Sequence, residues 1–514
     1  MTAIKSSQQN VVQDADEGWR DSEATPLLQT SLSELDLAIA KKDTAEPYID
    51  AAKKELLWIG SSSSLTILTN VLQTVCLFVN VFAVSHLGAK KLASMSLAMT
   101  CQGIFAMAPS YGLLSAMDTF CSTAYTASRN RKLVGYHFQR GIIALCIHFI
   151  FVVPISWNSE KMLLFLRQDP EIAHLTGQYL RLNILAVLPL TLFEAAKRFL
   201  QAQGIMRAAT IVVGVVAPIQ WVSNIVIVQS PRFGLGFLGV PVVNIITNWL
   251  MLGGLFIYIC NSRAMETWGG WSLAPFRNMR SYYRLAIPSV VTTCTDWVCF
   301  ELLAIGSSYF GAIQLAGSAI MLNSVISIFQ FSNGLGFGTC PRVGNLIGAA
   351  KPRQARIAAN MAVMVSAVIG VLGVLFLSLC GRWWISVYTS DPDVAREAAI
   401  TIPAVCIFSL SNGLNAVLSA VLRGLGRQRI SANLLLFGFY VCGTPIAVYA
   451  AYYRHWESGG LWWGLSIGAA VASMLHIIYI HFIVNWNDEV RRCILRLEAN
   501  NSNGTNDPED VGAE

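Results

Sequence analysis

The chain has 514 residues, of which 54% are hydrophobic and 13% charged, with a mean hydropathy of +0.52. An ordinary soluble domain carries about 25% charged residues, so a soluble multidomain enzyme is excluded and the bilayer sets the element lengths. The net charge of +6 sits in short loops between apolar stretches, a pattern of membrane topology and not of a nucleic-acid surface.

Residues 1–55 hold 11 Asp/Glu against 6 Lys/Arg with few aromatics, too polar to bury a core. They predict a disordered cytosolic tail, and with no apolar run near the start a cleaved signal peptide is not expected. Within this tail, Glu23-Ala-Thr-Pro-Leu27-Leu28 has the form of an acidic dileucine sorting signal, read by adaptors on proteins bound for vacuoles; a chance Leu pair is the alternative. Twelve apolar stretches follow, centred near residues 74, 104, 148, 186, 219, 248, 295, 326, 369, 409, 443 and 473, each long enough to cross about 30 Å of hydrocarbon as a helix. They group as an N-lobe, residues 56–270 with spans 1–6, and a C-lobe, residues 271–485 with spans 7–12. Residues 486–514 are again polar and predict a second cytosolic tail. The 12 cysteines lie scattered and read as small hydrophobes, with no metal site.

Loop charge sets the orientation. The even-numbered loops hold 18 Lys/Arg, among them Arg131, Lys132, Arg263, Arg277, Arg353 and Arg427, and the odd-numbered loops hold 8. The positive-inside rule places the even loops and both termini in the cytosol, so the sequons at Asn500 and Asn503 are expected to stay unmodified.

The halves repeat. "HLGAKKLASMSLA" overlays "YFGAIQLAGSAIM", pairing Gly88 with Gly311 and Leu92 with Leu315 at an offset of 223, which also pairs Ala127 with Ala350; Gly204 and Gly426 differ by 222. An even number of spans per half gives two six-helix lobes of the same orientation, a parallel internal repeat. Transporters of that kind bind solute between the halves near mid-membrane.

The segments "SHLGAKKLASMSLA", "AMDTFCSTAYTA", "FLQAQGI", "LAIPSVVTTCTDWVCFELL", "CPRVGNLIGAAKPRQA" and "VLRGLGRQRISA", with "YVCGTPIAV" beyond, resemble the successive signatures of eukaryotic multidrug and toxic compound extrusion (MATE) transporters, in order over about residues 60–450. The resemblance implies an all-α integral membrane protein of twelve transmembrane helices in two lobes. It also implies a secondary antiporter exporting organic cations, drugs or metabolites against H+ or Na+. The acidic tails suggest a fungal-like vacuolar branch, with the plasma membrane as the alternative.

Of the 30 acids, Asp118, Glu194, Asp296 and Glu301 lie inside or near the ends of spans, where an ionised carboxylate is expensive and marks function by default. Asp296 and Glu301 share span 7, five residues and so about 7.5 Å apart along its axis. Burial and like charge both disfavour ionisation, so this pair is expected to exchange protons and bind the cationic solute. The alternative is a buried carboxylate paired with a neighbouring helix. Their positions resemble the family's two acids in "EWWxxE", with Asp in first place and Trp297 kept beside it. Pro288 weakens the helix ladder before them, so a bend there either links protonation to helix shape or is ordinary membrane-helix proline. Glu194 reads as an interfacial ion pair with Lys197 and Arg198, and Asp118 as a structural or gating acid or a cap.

By spacing, Asn412 and Asn80 stand where many family members carry acids. An amide cannot carry the proton but can hydrogen-bond a solute, so both join Trp297 in the expected solute cavity, and Na+ becomes the less suited coupling ion. Trp297 is the aromatic expected to meet an organic cation. His148, His476 and His481 read as packing groups. The sequence therefore predicts a monomeric, cofactor-free proton antiporter for a small organic solute. A lipid-linked flippase of the same superfamily, with Arg181 as its main basic candidate, is the alternative. An intramembrane enzyme is disfavoured, since no metal-helix or nucleophile motif falls in any span.

Overall fold

The computed structural model describes residues 47–128, 130–230, 234–277 and 279–501; the Glu23, Leu27, Leu28 motif lies outside them. The described elements are helices, with no strand among them. Twelve are long and apolar enough to cross a membrane. They are span 1 (Tyr48–Ser85), span 2 (Ala89–Ala127), span 3 (Lys132–Trp157), span 4 (Pro170–Ala202), span 5 (Arg207–Gln229) and span 6 (Gly236–Cys260), then span 7 (Met279–Ser308), span 8 (Ala312–Gly348), span 9 (Pro352–Tyr388), span 10 (Pro392–Gly424), span 11 (Gln428–Tyr453) and span 12 (Glu457–Ile483). Every expected centre falls inside its span.

The repeat is written into the helix ends. Spans 4 and 10 both open on Asp-Pro: Asp169 accepts from the N–H groups of Glu171 and Ile172, and Asp391 from those of Asp393 and Val394. In each case the proline fills the first helical position, where its missing N–H is not needed. The turns after these two spans pass through Gly204 (φ 78°) and Gly426 (φ 71°), while Gly88 (φ 108°) and Gly311 (φ 128°) precede spans 2 and 8. These four left-handed positions suit glycine, which explains why they survive in both halves.

Packing shows how the lobes meet. One large apolar core, including Leu114, Cys121, Val213, Val343, Ala358 and Leu422, draws on both lobes. It lies toward the face that carries the loops after spans 2, 4, 6, 8 and 10, here called the basic face. Toward the opposite face each lobe closes on its own core: Ala83, Met95, Tyr179 and Val240 in the N-lobe, and Leu303, Met321, Phe408 and Trp462 in the C-lobe. The lobes are therefore joined at one end and separately packed at the other.

Polar contacts seal the joined end. Thr66 donates to Gly334 O at 2.6 Å, Thr119 to Arg423 O at 2.6 Å, Thr126 to Asn345 O at 2.8 Å, and Asn345 to Ala202 O at 3.1 Å. The Arg342 guanidinium grips Glu55 through two bonds, at 2.9 and 2.5 Å. Most of these donors are hydroxyls or amides that satisfy carbonyls of the other lobe, so the closure brings little net charge into the membrane. The linker between the lobes is fastened to span 3: Tyr136 donates to Ala274 O at 2.6 Å, Gln139 to Gly270 O at 2.6 Å and Arg140 to Arg277 O at 2.8 Å.

Two stretches differ from the tails expected at the ends. Span 1 begins at Tyr48, and Glu55, within the expected 1–55 tail, is buried. Residues Trp486–Asn501, within the expected 486–514 tail, form a helix whose Trp486, Val490, Cys493, Ile494 and Leu497 join the shared core. The reason is periodicity: those five positions recur at helical spacing on one face, although the segment as a whole is polar.

Candidate coupling and solute site

The intramembrane acids fall into two chemical classes. Asp118 accepts from Arg198 at 2.5 Å, and Glu194 from Lys197 at 2.7 Å and from Gln73 at 3.2 Å. All four ion-pair side chains are buried, so each charge is taken out of solvent together with its neutraliser. The expected pairing of Glu194 holds for Lys197 only; Arg198 turns to Asp118 on span 2. Both cations also lie 5.3 Å from the Phe337 ring of span 8, which brings them to the seam between the lobes.

Asp296 and Glu301 have no ion pair with any described residue, although the Arg423 guanidinium lies close enough to act electrostatically on Asp296. Each is only partly buried on span 7. The two do not form a mutually opposed pair. Five residues rotate a helix by about 500°, which leaves their side chains about 140° apart around span 7. Asp296 stands near Cys299 and Tyr440. Glu301 meets the Thr100 hydroxyl of span 2. One carboxyl thus faces the C-lobe and the other reaches the N-lobe.

Trp297 lies between them, 37% exposed. Its ring rests on Gly103 of span 2, where any Cβ would overlap it. Gly103 opens a π-helical turn, Gly103–Met107, an irregularity common at functional sites. Below it, Gly112 lets span 2 reach the Val290 backbone of span 7. Sequence reasoning missed both glycines, although a glycine inside an apolar span is the signal of close helix approach. Span 7 runs as one helix through Pro288, and the Pro288 carbonyl accepts from Thr292 at 3.0 Å.

The two amides part company. Asn412 is half-buried on span 10 and has no hydrogen bond to a described residue. Asn80 is 5% exposed and fully engaged inside the N-lobe. It donates to Asn244 at 2.8 Å and accepts from Asn224 at 3.0 Å and Gln220 at 3.2 Å. Asn244 in turn donates to Asn183 at 3.0 Å, and Asn183 to Gln102. The structure therefore removes Asn80 from the seam: its polarity is consumed by a neutral amide network linking spans 1, 2, 4, 5 and 6. No local motif announces this network, because its members lie far apart in the chain.

Of the histidines, His476 is bonded to Ser431 at 3.0 Å and His148 lies near Ala106 O at 3.4 Å. Arg181 is held by Glu160 at 2.7 Å. Among the described residues, no three His, Cys, Asp or Glu stand together as metal ligands.

A chain with two six-helix lobes joined at one end, and intramembrane acids that make no ion pair, has the architecture of a membrane transporter. The MatE family model matches it twice, over residues 66–226 and 288–449, once per lobe. An uncharacterised transporter of Schizosaccharomyces pombe is 34% identical over 435 residues, covering 84% of this chain and 80% of the relative. Multidrug and toxin extrusion protein 2 of Mus musculus is 31% identical over 408 residues, 78% of this chain and 70% of the relative. The crystal structure of the eukaryotic MATE transporter AtDTX14 superposes with a TM-score of 0.81 at 26% identity, covering 88% of this chain and 100% of that one. The chain belongs to the MATE family of multi-pass membrane transporters.

Proposed function

We propose that this transporter is a proton antiporter that exports or sequesters small organic cations by alternating access between its lobes. The observation that supports the reading most is the division of the acids. Asp118 and Glu194 carry their own cations, whereas Asp296 and Glu301 keep carboxyls that make no ion pair at the seam. A carboxylate so placed is neutralised either by a proton or by a cationic solute, and competition between the two is the simplest basis for exchange. Trp297 offers a ring face beside both acids, worth about 0.5–2 kcal/mol to a cation, and Asn412 adds an uncommitted amide.

The loop charges favour a cytosolic basic face. The structure then corresponds to a state open away from the cytosol, in which protons reach the acids and the solute leaves. Reversal releases the protons to the cytosol and readmits solute. H+ suits the site better than Na+, because an amide at position 412 supplies no charge for a hard cation. The vacuolar membrane is the favoured location, with the N-terminal tail as an adaptor contact, and two lobes in one chain suit a working monomer. A lipid-linked flippase calls for a cationic groove, and the engagement of Arg181 by Glu160 disfavours it.

The test is transport by the purified chain in proteoliposomes, using a fluorescent organic cation under an imposed pH gradient and then an imposed Na+ gradient. The reading expects uptake driven by the pH gradient and accompanied by counterflow of protons. Uptake that follows Na+ alone, or that proceeds without proton movement, overturns it.

A further inference from the structure

The helix Trp486–Asn501 touches spans 8 and 9 of the C-lobe and also span 2 of the N-lobe. Its C-lobe attachment is ionic and directional. Glu489, 2% exposed, accepts from Arg427 at 2.5 and 3.1 Å and from Arg492 at 2.9 Å. Arg496 donates to Leu425 O at 3.3 Å, lying where a Cβ on Gly426 would be. Its N-lobe attachment is slighter: Cys493 meets the Thr123 hydroxyl near the end of span 2, within the core that both lobes share. The helix is thus carried by one lobe and rests across the joined end of both.

We infer that this C-terminal helix is a clasp on the basic face, which must release span 2 before the lobes can part there. This rests on the alternating-access reading in one respect: the lobes have to separate at the end where they are now joined. The strong anchor on Arg427 and the weaker contact on Thr123 fix which side lets go. Burial of five apolar side chains against both lobes makes the clasped arrangement favourable, and their re-exposure opposes opening.

Two measurements on the full chain test it. In a Thr123→Cys variant, the new thiol faces native Cys493, and the pair is oxidised to form a disulfide between the helix and span 2. The clasp account expects oxidation to reduce transport at least about tenfold, reductant to restore it, and a Thr123→Cys, Cys493→Ser double variant to be indifferent to both. A bridge verified by peptide mass spectrometry with transport continuing overturns the account. The second measurement needs no solute. Cys340, 1% exposed and close to Asp118 and Arg198 of the N-lobe, is reacted with a membrane-impermeant maleimide from the basic face. Val490→Asp and Glu489→Ala are expected to speed its modification by roughly 5–150-fold, the usual range of coupling between elements. An unchanged rate in both variants, each eluting as intact protein, overturns the clasp. Faster labelling in a chain that moves no cation preserves it and refutes the antiport reading instead.

Discussion

Asp118→Ala and Asp296→Asn should affect the protein in opposite ways. Arg198 is 4% exposed, its Nε has no partner, and the 2.5 Å contact to Asp118 is its ion pair. Truncating Asp118 leaves a guanidinium in the shared core with no carboxylate to neutralise it, a loss of about 3–5 kcal/mol where a buried pair is broken from one side. That is a large fraction of the 5–15 kcal/mol typical of a domain, so the thermal midpoint in detergent should fall by several degrees. Removing both charges together, as Asp118→Ala with Arg198→Leu, should return most of the loss, because a buried pair replaced by apolar groups is often neutral. Asp296 has no ion pair, only the more distant charge of Arg423, so Asp296→Asn removes a desolvated acid and should leave the midpoint unchanged or raised. The assay is a melting series on the four purified proteins. An Asp118→Ala midpoint equal to that of the native chain, or an Asp296→Asn midpoint several degrees lower, refutes the division of the acids into paired and unpaired.

Other outcomes follow from single contacts. Gly112→Val should force span 2 away from the Val290 backbone and cut transport severely, whereas Gly214→Val, which meets no atom within 4 Å, should retain it; side-by-side uptake assays check this. His174 and Arg181 together hold the Glu160 carboxyl below its ordinary range through their hydrogen bonds. A depressed acid stabilises above its unfolded pKa of about 4.3 and loses that contribution as pH falls through the lower folded value. Glu160→Gln should therefore melt slightly below the native chain at pH 7, the difference closing below about pH 4; a constant offset across that range contradicts it. With the basic face in the cytosol, Asn500 and Asn503 should show no glycosidase-sensitive shift, while a sequon inserted near Arg167 should acquire one.

The sequence reveals the architecture because it is a matter of length and repetition. Apolar stretches long enough to span a bilayer, the Asp-Pro openings at 169 and 391 and the glycines at 88, 204, 311 and 426 are all local signals. The candidate acids were legible too, since a carboxylate in an apolar run is conspicuous. What each acid touches was not. Nothing near Asp118 in the chain points to Arg198, 80 residues away, and the i, i+4 spacing from Glu194 suggested a different partner. The separation of Asp296 from Glu301 around span 7 follows from helix geometry once angle is considered beside rise. Asn80 was misplaced because its partners at 220, 224 and 244 come from other spans. The terminal helix was concealed by its polar average, though the spacing of Trp486, Val490, Cys493 and Leu497 carries its signal.

The central claim is that Asp296 and Glu301 exchange protons for the solute, and proteoliposome uptake under a fixed pH gradient tests it directly. Asp296→Asn and Glu301→Gln are compared with the native chain at equal protein density and equal thermal midpoint. The account predicts that proton-driven uptake is lost in each variant, because neither amide can carry the proton. Transport retained at the native rate in both would contradict it and would move the coupling role to other residues of the seam.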